Sequence, residues 1–497
     1  MSDTLDVLVI SDLHYVRHTG TAARHAARQG EWGLLLMRKA LHRMRHLGVR
    51  PGLIVLLGDL VDNGAAEGAD LDLAELAAAL KSMGIPVLVV HGNHDGDTAR
   101  FEALFGAPGL REIGGYGFLV INDVVAPGDF TTRQAADLAL VDRLASERPD
   151  LPLVVLQHNP MAPVLRKGGT YPYMLTNHED VLAGYRRAGV LLTLSGHYHA
   201  GQPPSRLGER TTVYTVPALC EAPFTFAHLR LSGAKVEIQE HHLTLDEPGL
   251  TDVHCHTEYA YCATTVSAEK CLKVSSLLGV GRVCLIEHAF HLYFDREAAW
   301  SYRWQTDAAM VREAWRRRSG RMDEYKRFAA GFRRDNVILG LEVDVCADGQ
   351  LLLAPEDVDG WDLLVGAIHS IPGYVRGKTT PAETEELFLR ETMRLLACPI
   401  QVLAHPFRFF LREHMEVPTH LYPVVADLLA KHKVASEVNF HTNRPDPGFV
   451  RECVKRGVKI ALGSDGHDIV ETGEFTPHLR VLEEAGIERK DLKSVLV

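Results

Sequence analysis

Leu53-Ile54-Val55-Leu56-Leu57-Gly58-Asp59-Leu60-Val61-Asp62-Asn63 sets five consecutive apolar residues before a glycine, two carboxylates and an amide. A short apolar run suits a strand covered on both faces, and a polar cluster at its end suits a site rather than a core. The pattern extends outward in both directions. Upstream, residues 7–10 (VLVI) lead into Ser11, Asp12, Leu13 and His14. Downstream, residues 86–90 lead to Gly92, Asn93, His94 and Asp95; residues 153–156 to Gln157, His158 and Asn159; and residues 190–194 to Gly196, His197, Tyr198 and His199. A further run lies at 118–121, and segments 32–46 and 71–81 carry helical spacing, so the first half reads as α/β. Ligands of open α/β sheets gather beyond the carboxyl ends of strands, where these residues fall.

Mixed carboxylate, amide and imidazole sets suit a pair of divalent ions such as Mn, Fe or Zn. One Asp-x-His or Gly-Asn-His alone is more often a capped turn; five such motifs in chain order carry the argument.

The series D-x-H, G-D-x-x-D, G-N-H-D, H and G-H-x-H between residues 12 and 199 resembles the calcineurin-like metallophosphoesterase family, over roughly the first 245 residues. The resemblance implies an αββα sandwich. It assigns Asp12, His14 and His199 to one metal, Asn93, His158 and His197 to the other, and Asp59 to both. His94 would face the leaving group and Asp95 would orient it. A non-ligating histidine at that place favours hydrolysis over metal storage. The portion 155–220 is similar to the branch containing cyclic-nucleotide phosphodiesterases. Arg17 and His18 read as exposed loop charge, with substrate phosphate as the alternative.

Asp246-Glu247-Pro248-Gly249 is the linker candidate, dividing the chain into domains at 1–246 and 250–497. Beyond it, seven apolar runs open at Thr251, 282, 337, 363, 399, 435 and 459, and each ends in ligand-type residues. Seven parallel strands bring such ends onto one rim of a barrel.

His254-x-His256, His369-Ser370, His405-Pro406 and Asp465-x-His467 together resemble the PHP (polymerase and histidinol phosphatase) family, a distorted (β/α)7 barrel holding two or three ions. The resemblance implies His254, His256, Glu342 and Asp465 at one metal, Glu342, His369 and His405 at a second, and His288 and His467 at a third. Two departures stand out: Glu287 occupies the usual Asp position before His288, and Cys262 aligns with a further ligand of the third ion. A thiolate there suits Zn, and a small buried free thiol is the equal alternative. Glu437 and Asn439 read as buried partners of ligands, and His441, Asn443 and Arg444 as loop residues within reach of substrate or as solvated surface.

An insert at about 290–336 holds ten arginines and Trp300, Trp304 and Trp315 in helical spacing. It reads either as a basic aromatic cap over the barrel mouth or as an amphipathic helical pair docked on the barrel or the partner domain, with Trp300 and Trp304 on one face. It is also the candidate interface for a homo-oligomer.

At 497 residues two domains are expected, and a formal charge of −11 argues against non-specific nucleic-acid binding. Eight cysteines without a framework spacing point to reduced thiols, the N-terminus lacks a signal pattern, and no apolar stretch approaches the ~18 residues of a membrane span, so a cytoplasmic location is expected. The expected function is a bifunctional metal-dependent phosphoesterase acting on diester and monoester bonds of a small phosphorylated metabolite or nucleotide. The alternatives are one catalytic centre beside a regulatory or binding module, and a nuclease.

Overall fold

A computed structural model describes residues 4–19, 25–126, 130–161, 165–166, 169–247, 249–317 and 320–497. Residues 1–3 of the N-terminal reading, Pro248 of the linker and Arg318 of the insert lie outside the described residues. The chain divides into two compact units, Met1–Thr244 and Leu245–Val497. Leu245 goes with the second because its backbone N–H bonds the Leu278 carbonyl at 2.9 Å.

The first unit has two sheets. One runs Lys235–His242, Thr225–Ser232, Thr4–Ile10, Leu53–Leu56, Val87–Val89. The other runs Gln202–Leu207, Thr211–Thr215, Leu192–Ser195, Leu153–Leu156, Tyr116–Val120, Gly109–Ile113. Val7, Val9 and Val55 from the first share one core with Phe118, Val154, Leu192 and Leu194 from the second. On the outer side of the second sheet, Leu119 and Val155 pack with Val141, Val181 and Tyr185 of helices Ala135–Glu147 and His178–Ala188. Strands Leu53–Leu56, Leu153–Leu156 and Leu192–Ser195 are buried throughout, as apolar sequences covered on both faces must be. Strand Lys235–His242 escapes that criterion because it alternates between half-buried and exposed residues.

In the second unit all seven expected strands form one parallel sheet in chain order, Thr251–Cys255 through Ile460–Leu462. It is nearly closed: Cys255 bridges Gly466, and the Asp465 N–H bonds the His254 carbonyl at 2.7 Å. The small residues Ala367, Ala404, Ala435 and Ala461 pack with Val253, Ile286 and Val402 in its core. Short strands ending abruptly in polar residues thereby become a rim of side chains.

The insert is helical, and Trp304 is fully buried, its ring stacked at 5.4 Å on Phe290 and its Nε1 donating to the Ala299 carbonyl. Trp300 and Trp304 do not share a helix face. Helix Arg296–Trp300 ends before Tyr302, whose φ of 50° reverses the chain. Arg303, Arg316 and Arg317 face solvent and pair with Asp307 and Glu313, so docking accounts for this stretch better than a basic cap. Among the described residues no helix is long and apolar enough to cross a membrane.

Candidate metal centres

The strand ends of the first unit bring Asp12, His14, Asp59, Asn93, His158, His197 and His199 together. Asp59 Oδ2 lies 3.6 Å from His14 Nε2 and 3.3 Å from His158 Nε2. On one side His14 Nε2 faces His199 Nε2 at 3.2 Å, and His199 is 3.7 Å from Asp12 Oδ1. On the other, His158 Nε2 is 3.1 Å from both Asn93 Oδ1 and His197 Nδ1. Each facing pair of imidazole nitrogens can be bridged by one proton or by one cation, and a divalent cation would also take up the charge of the adjacent Asp12 and Asp59 carboxylates.

Backbone geometry serves these positions. Asp12, His14, Asp59 and His197 adopt φ of 52°, 44°, 51° and 66°, and His405 and Asp465 of the second unit adopt 31° and 46°. Left-handed conformation at a non-glycine residue costs roughly 1–3 kcal/mol and persists where surroundings enforce it, commonly at functional sites. Gly92 is required for a different reason: a Cβ there would overlap the Asp59 carboxylate.

Electrostatics of the first centre are dominated by carboxylates wanting a positive partner. Burial opposes charge on His158, but Asp59 overcomes it and pushes the imidazole up to about 10. Asp59 is held well below the usual carboxylate range, against burial, by His158 and then His14. His197 falls to about 3 through burial and the neighbouring His158 charge.

One expectation changes here, and the reading of Arg17 as exposed loop charge stands. Asp95 does not orient His94 through its side chain: its buried carboxylate accepts the N–H groups of Leu60, Val61 and Gly92 at 2.6, 3.2 and 2.8 Å. The His94 ring is oriented instead by the Asp62 carbonyl, 2.6 Å from Nδ1. Arg17 is turned to Glu75 in an ion pair on an exposed loop. Residues beyond the expected set join the centre. Glu221 bonds His199 Nδ1 at 2.6 Å, Cys220 lies with His14 and His199, and Arg28 reaches Asp62 at 2.9 Å beside His14. Arg28 and Asp62 line a cavity of about 160 Å³ with His14 and His25. No motif announces Cys220 and Glu221, which follow the last expected ligand by some twenty residues.

In the second unit Glu342 sits at the centre of the rim. Its Oε2 lies 3.6, 3.7 and 2.5 Å from His254, His256 and His288, and its Oε1 lies 3.4 and 2.9 Å from His369 and His405. Asp465 Oδ1 is 3.0 Å from His256 Nε2, while Oδ2 takes the Arg408 guanidinium at 2.7 Å. His467 groups with His256 and His288, and Cys262 Sγ, 3.4 Å from His288 Nε2, groups with His288 and His291. His291 is the member that sequence reading missed; it lies three residues after His288, one helical turn along Ala289–Tyr293. Burial pushes the Cys262 thiol up, and the nearby Glu287 and Asp465 charges push it further. Against burial, Asp465, Glu437 and Glu342 hold His254 well above its usual range.

Carboxylates behind these residues set their orientation. Glu437 accepts from His254 Nδ1 at 2.9 Å, the His405 N–H at 2.7 Å and Asn439 Nδ2 at 2.6 Å. Asp344 accepts from His369 Nδ1. Glu287 takes the Thr257 hydroxyl at 2.8 Å. His441 stacks on His467 at 4.2 Å.

Buried polar atoms left without a hydrogen bond test whether these sets fit metals. Asp12 Oδ1 and His197 Nε2 in the first unit, and His254 Nε2 and His369 Nε2 in the second, are such atoms within the expected ligand sets, while others lie elsewhere in the chain. Unsatisfied buried acceptors are costly, so their convergence fits divalent ions.

Residues 5–201 match the family described as calcineurin-like phosphoesterase, and residues 252–441 match the PHP domain. No protein of curated function matches the chain. Among solved structures, a dimetal phosphatase from Danio rerio is 16% identical with a TM-score of 0.38, over 48% of this chain and 98% of that one. A protein of Thermus thermophilus is 19% identical with a TM-score of 0.33, over 48% of this chain and 98% of that one. Vacuolar Protein Sorting 29 from Cryptosporidium parvum is 11% identical with a TM-score of 0.26, over 48% and 97%.

Proposed function

Because this chain carries a calcineurin-like phosphoesterase domain followed by a PHP domain, both of metal-dependent phosphoesterase families, we propose that each half is a working hydrolytic centre. The first opens a phosphodiester and the second removes the resulting phosphomonoester, so that consecutive bonds of one small phosphorylated metabolite or nucleotide are cleaved.

The observation that carries this reading is the presence in each unit of one carboxylate between two histidine groups, Asp59 in the first and Glu342 in the second. Asp12, His14, Asp59 and His199 would hold one ion of the first centre, and Asp59, Asn93, His158 and His197 the other. In the second centre, His254, His256, Glu342 and Asp465 would hold one ion, Glu342, His369 and His405 another, and Cys262, His288 and His467 a third. Mn, Fe and Zn suit these donors, with Cys262 favouring Zn at its position.

When bound, paired divalent ions supply Lewis acidity and a water of lowered pKa. The chain's own residues do the rest. As the imidazolium, His94 keeps its Nδ1 proton on the Asp62 carbonyl and gives its Nε2 proton to the leaving oxygen, ending as the neutral Nδ1–H imidazole. Arg408 balances the charge of Asp465. The unpaired cysteines suit a reducing compartment such as the cytoplasm.

Manganese-reconstituted hydrolysis of a chromogenic monoester and a chromogenic diester by wild type, Asp59→Asn and His405→Ala tests the proposal. Each substitution is expected to remove a different activity. If one removes both and the other neither, the chain has a single working centre.

A further inference from the structure

Aromatic rings gather on one side of the first centre. Tyr171 and Tyr173 stand 5.8 and 6.0 Å from the ring of His197, Tyr173 nearly perpendicular to it at 87°. Tyr198 packs 4.8 Å from Tyr171, Tyr171 lies 5.6 Å from Tyr173, and Phe130 extends the row 6.0 Å beyond Tyr173. The three tyrosines are only half-buried and Phe130 is 42% exposed. Rings recruited only to fill a loop would exclude water from one another, whereas these keep aromatic surface open beside a ligand-type histidine. Val124, 51% exposed and two residues from Ala126, the strand partner of Phe130, adds apolar surface on the same face. Exposed apolar surface at the edge of a polar site marks a ligand groove more often than chance.

The row is held firmly. Thr131 bridges Leu175, and Arg133 and Asn177 exchange two hydrogen bonds of 3.1 and 3.0 Å, so the Phe130 strand and the segment following Tyr173 move as one. Arg133, fully buried, pairs with Asp123 and donates to Gln157 Oε1 at 2.9 Å, and Gln157 directly precedes His158. Tyr171 also donates its hydroxyl to the His197 carbonyl at 3.4 Å. The rings are thus positioned relative to the same strand ends that carry the ligands.

We propose that Phe130, Tyr171, Tyr173 and Tyr198 form a stacking subsite for a planar aromatic ring, of the size of a purine, carried by the phosphate ester bound at the first centre. This deepens the phosphoesterase reading of that centre and rests on it. Aromatic faces take a planar ring in offset or edge-to-face contact with little loss of side-chain freedom, and such a contact is worth about tenfold in affinity.

The test is competitive inhibition of bis(p-nitrophenyl) phosphate hydrolysis by the manganese-loaded full chain, comparing adenosine 5′-monophosphate with ribose 5-phosphate. The base-bearing inhibitor is expected to bind about tenfold more tightly, and Tyr173→Ala and Phe130→Ala each to shrink that ratio several-fold. Equal inhibition in wild type, or a ratio that survives both substitutions, overturns the subsite. If no diester is hydrolysed, the functional reading of the centre fails and photolabelling with 8-azidoadenosine 5′-monophosphate decides the subsite separately. Adducts on peptides containing Phe130, Tyr171, Tyr173 or Tyr198 support it. Adducts only elsewhere, or none, overturn it.

Discussion

Asp344 Oδ2 lies 2.9 Å from His369 Nδ1, and Asp344 Oδ1 accepts the His369 backbone N–H at 3.1 Å. The carboxylate therefore fixes the tautomer: Nδ1 keeps its proton and Nε2, 3.4 Å from Glu342 Oε1, keeps its lone pair for a metal. Asp344→Asn weakens that constraint without removing a ligand. Manganese affinity of the second centre is expected to fall about 10–100-fold, read as the activation constant for monoester hydrolysis. An unchanged constant would remove Asp344 from the metal centre's support.

Glu342→Gln removes charge from the residue whose two oxygens face different histidine groups. An amide presents one acceptor and one donor, so it cannot serve both sides. Monoester kcat/KM is expected to fall at least about 100-fold, together with the metal content per chain measured by mass spectrometry. Full metal content with full activity would show that Glu342 does not join two ions.

Much of how both candidate sites gather is legible in sequence because the strands are short and end at the residues that meet there, so chain position and spatial position coincide. Leu53–Leu56 stops three residues before Asp59, and Val402–Leu403 two before His405. The supporting residues are not legible in that way. Glu221 reaches His199 after two further strands, Gln202–Leu207 and Thr211–Thr215, have intervened, and the link between Glu437 and His254 depends on barrel closure, which joins the ends of the domain. Asp344 did carry a signal: two residues after Glu342, it points to the same side of an extended chain. Orientation was the least legible property. His94 and Asp95 are adjacent in sequence, yet one turns to the Asp62 carbonyl and the other to three backbone N–H groups.

Arg133→Met leaves the Asp123 carboxylate, itself 3% exposed, without its charged partner, and strips a donor from Gln157. Breaking a buried pair from one side costs roughly 3–5 kcal/mol. Urea unfolding of the full chain is expected to show that loss in the transition belonging to the first unit. A change below roughly 1 kcal/mol would mean the pair is solvated in solution.

Chelation should destabilise the chain beyond any loss of activity. Without cations, carboxylates such as Asp59 and Glu342 rely on nearby imidazoles, and several polar atoms of both centres remain buried without partners. An ion at 100 times its dissociation constant stabilises the folded state by about 2.7 kcal/mol. EDTA is therefore expected to lower Tm by several degrees, and manganese to restore it with a logarithmic dependence on concentration. A Tm indifferent to both would mean that neither centre binds the metal.

His94 and Asp95 can be separated by leaving group. The His94 N–H donates to Asp59 Oδ1 at 2.9 Å and its ring packs 4.8 Å from His14, so the imidazole stands against the ligand cluster with Nε2 as the nitrogen free to exchange a proton. An alkoxide needs that proton to depart; p-nitrophenolate does not. His94→Ala is thus expected to lower kcat for an alkyl diester by about 10²–10⁴ and for a p-nitrophenyl diester far less. Asp95→Ala removes the acceptor of three backbone N–H groups, so it should lower Tm and reduce both reactions alike. Equal losses on both substrates in His94→Ala, with Tm unchanged, would take the proton-transfer role away from His94 and leave the leaving oxygen to be protonated from water.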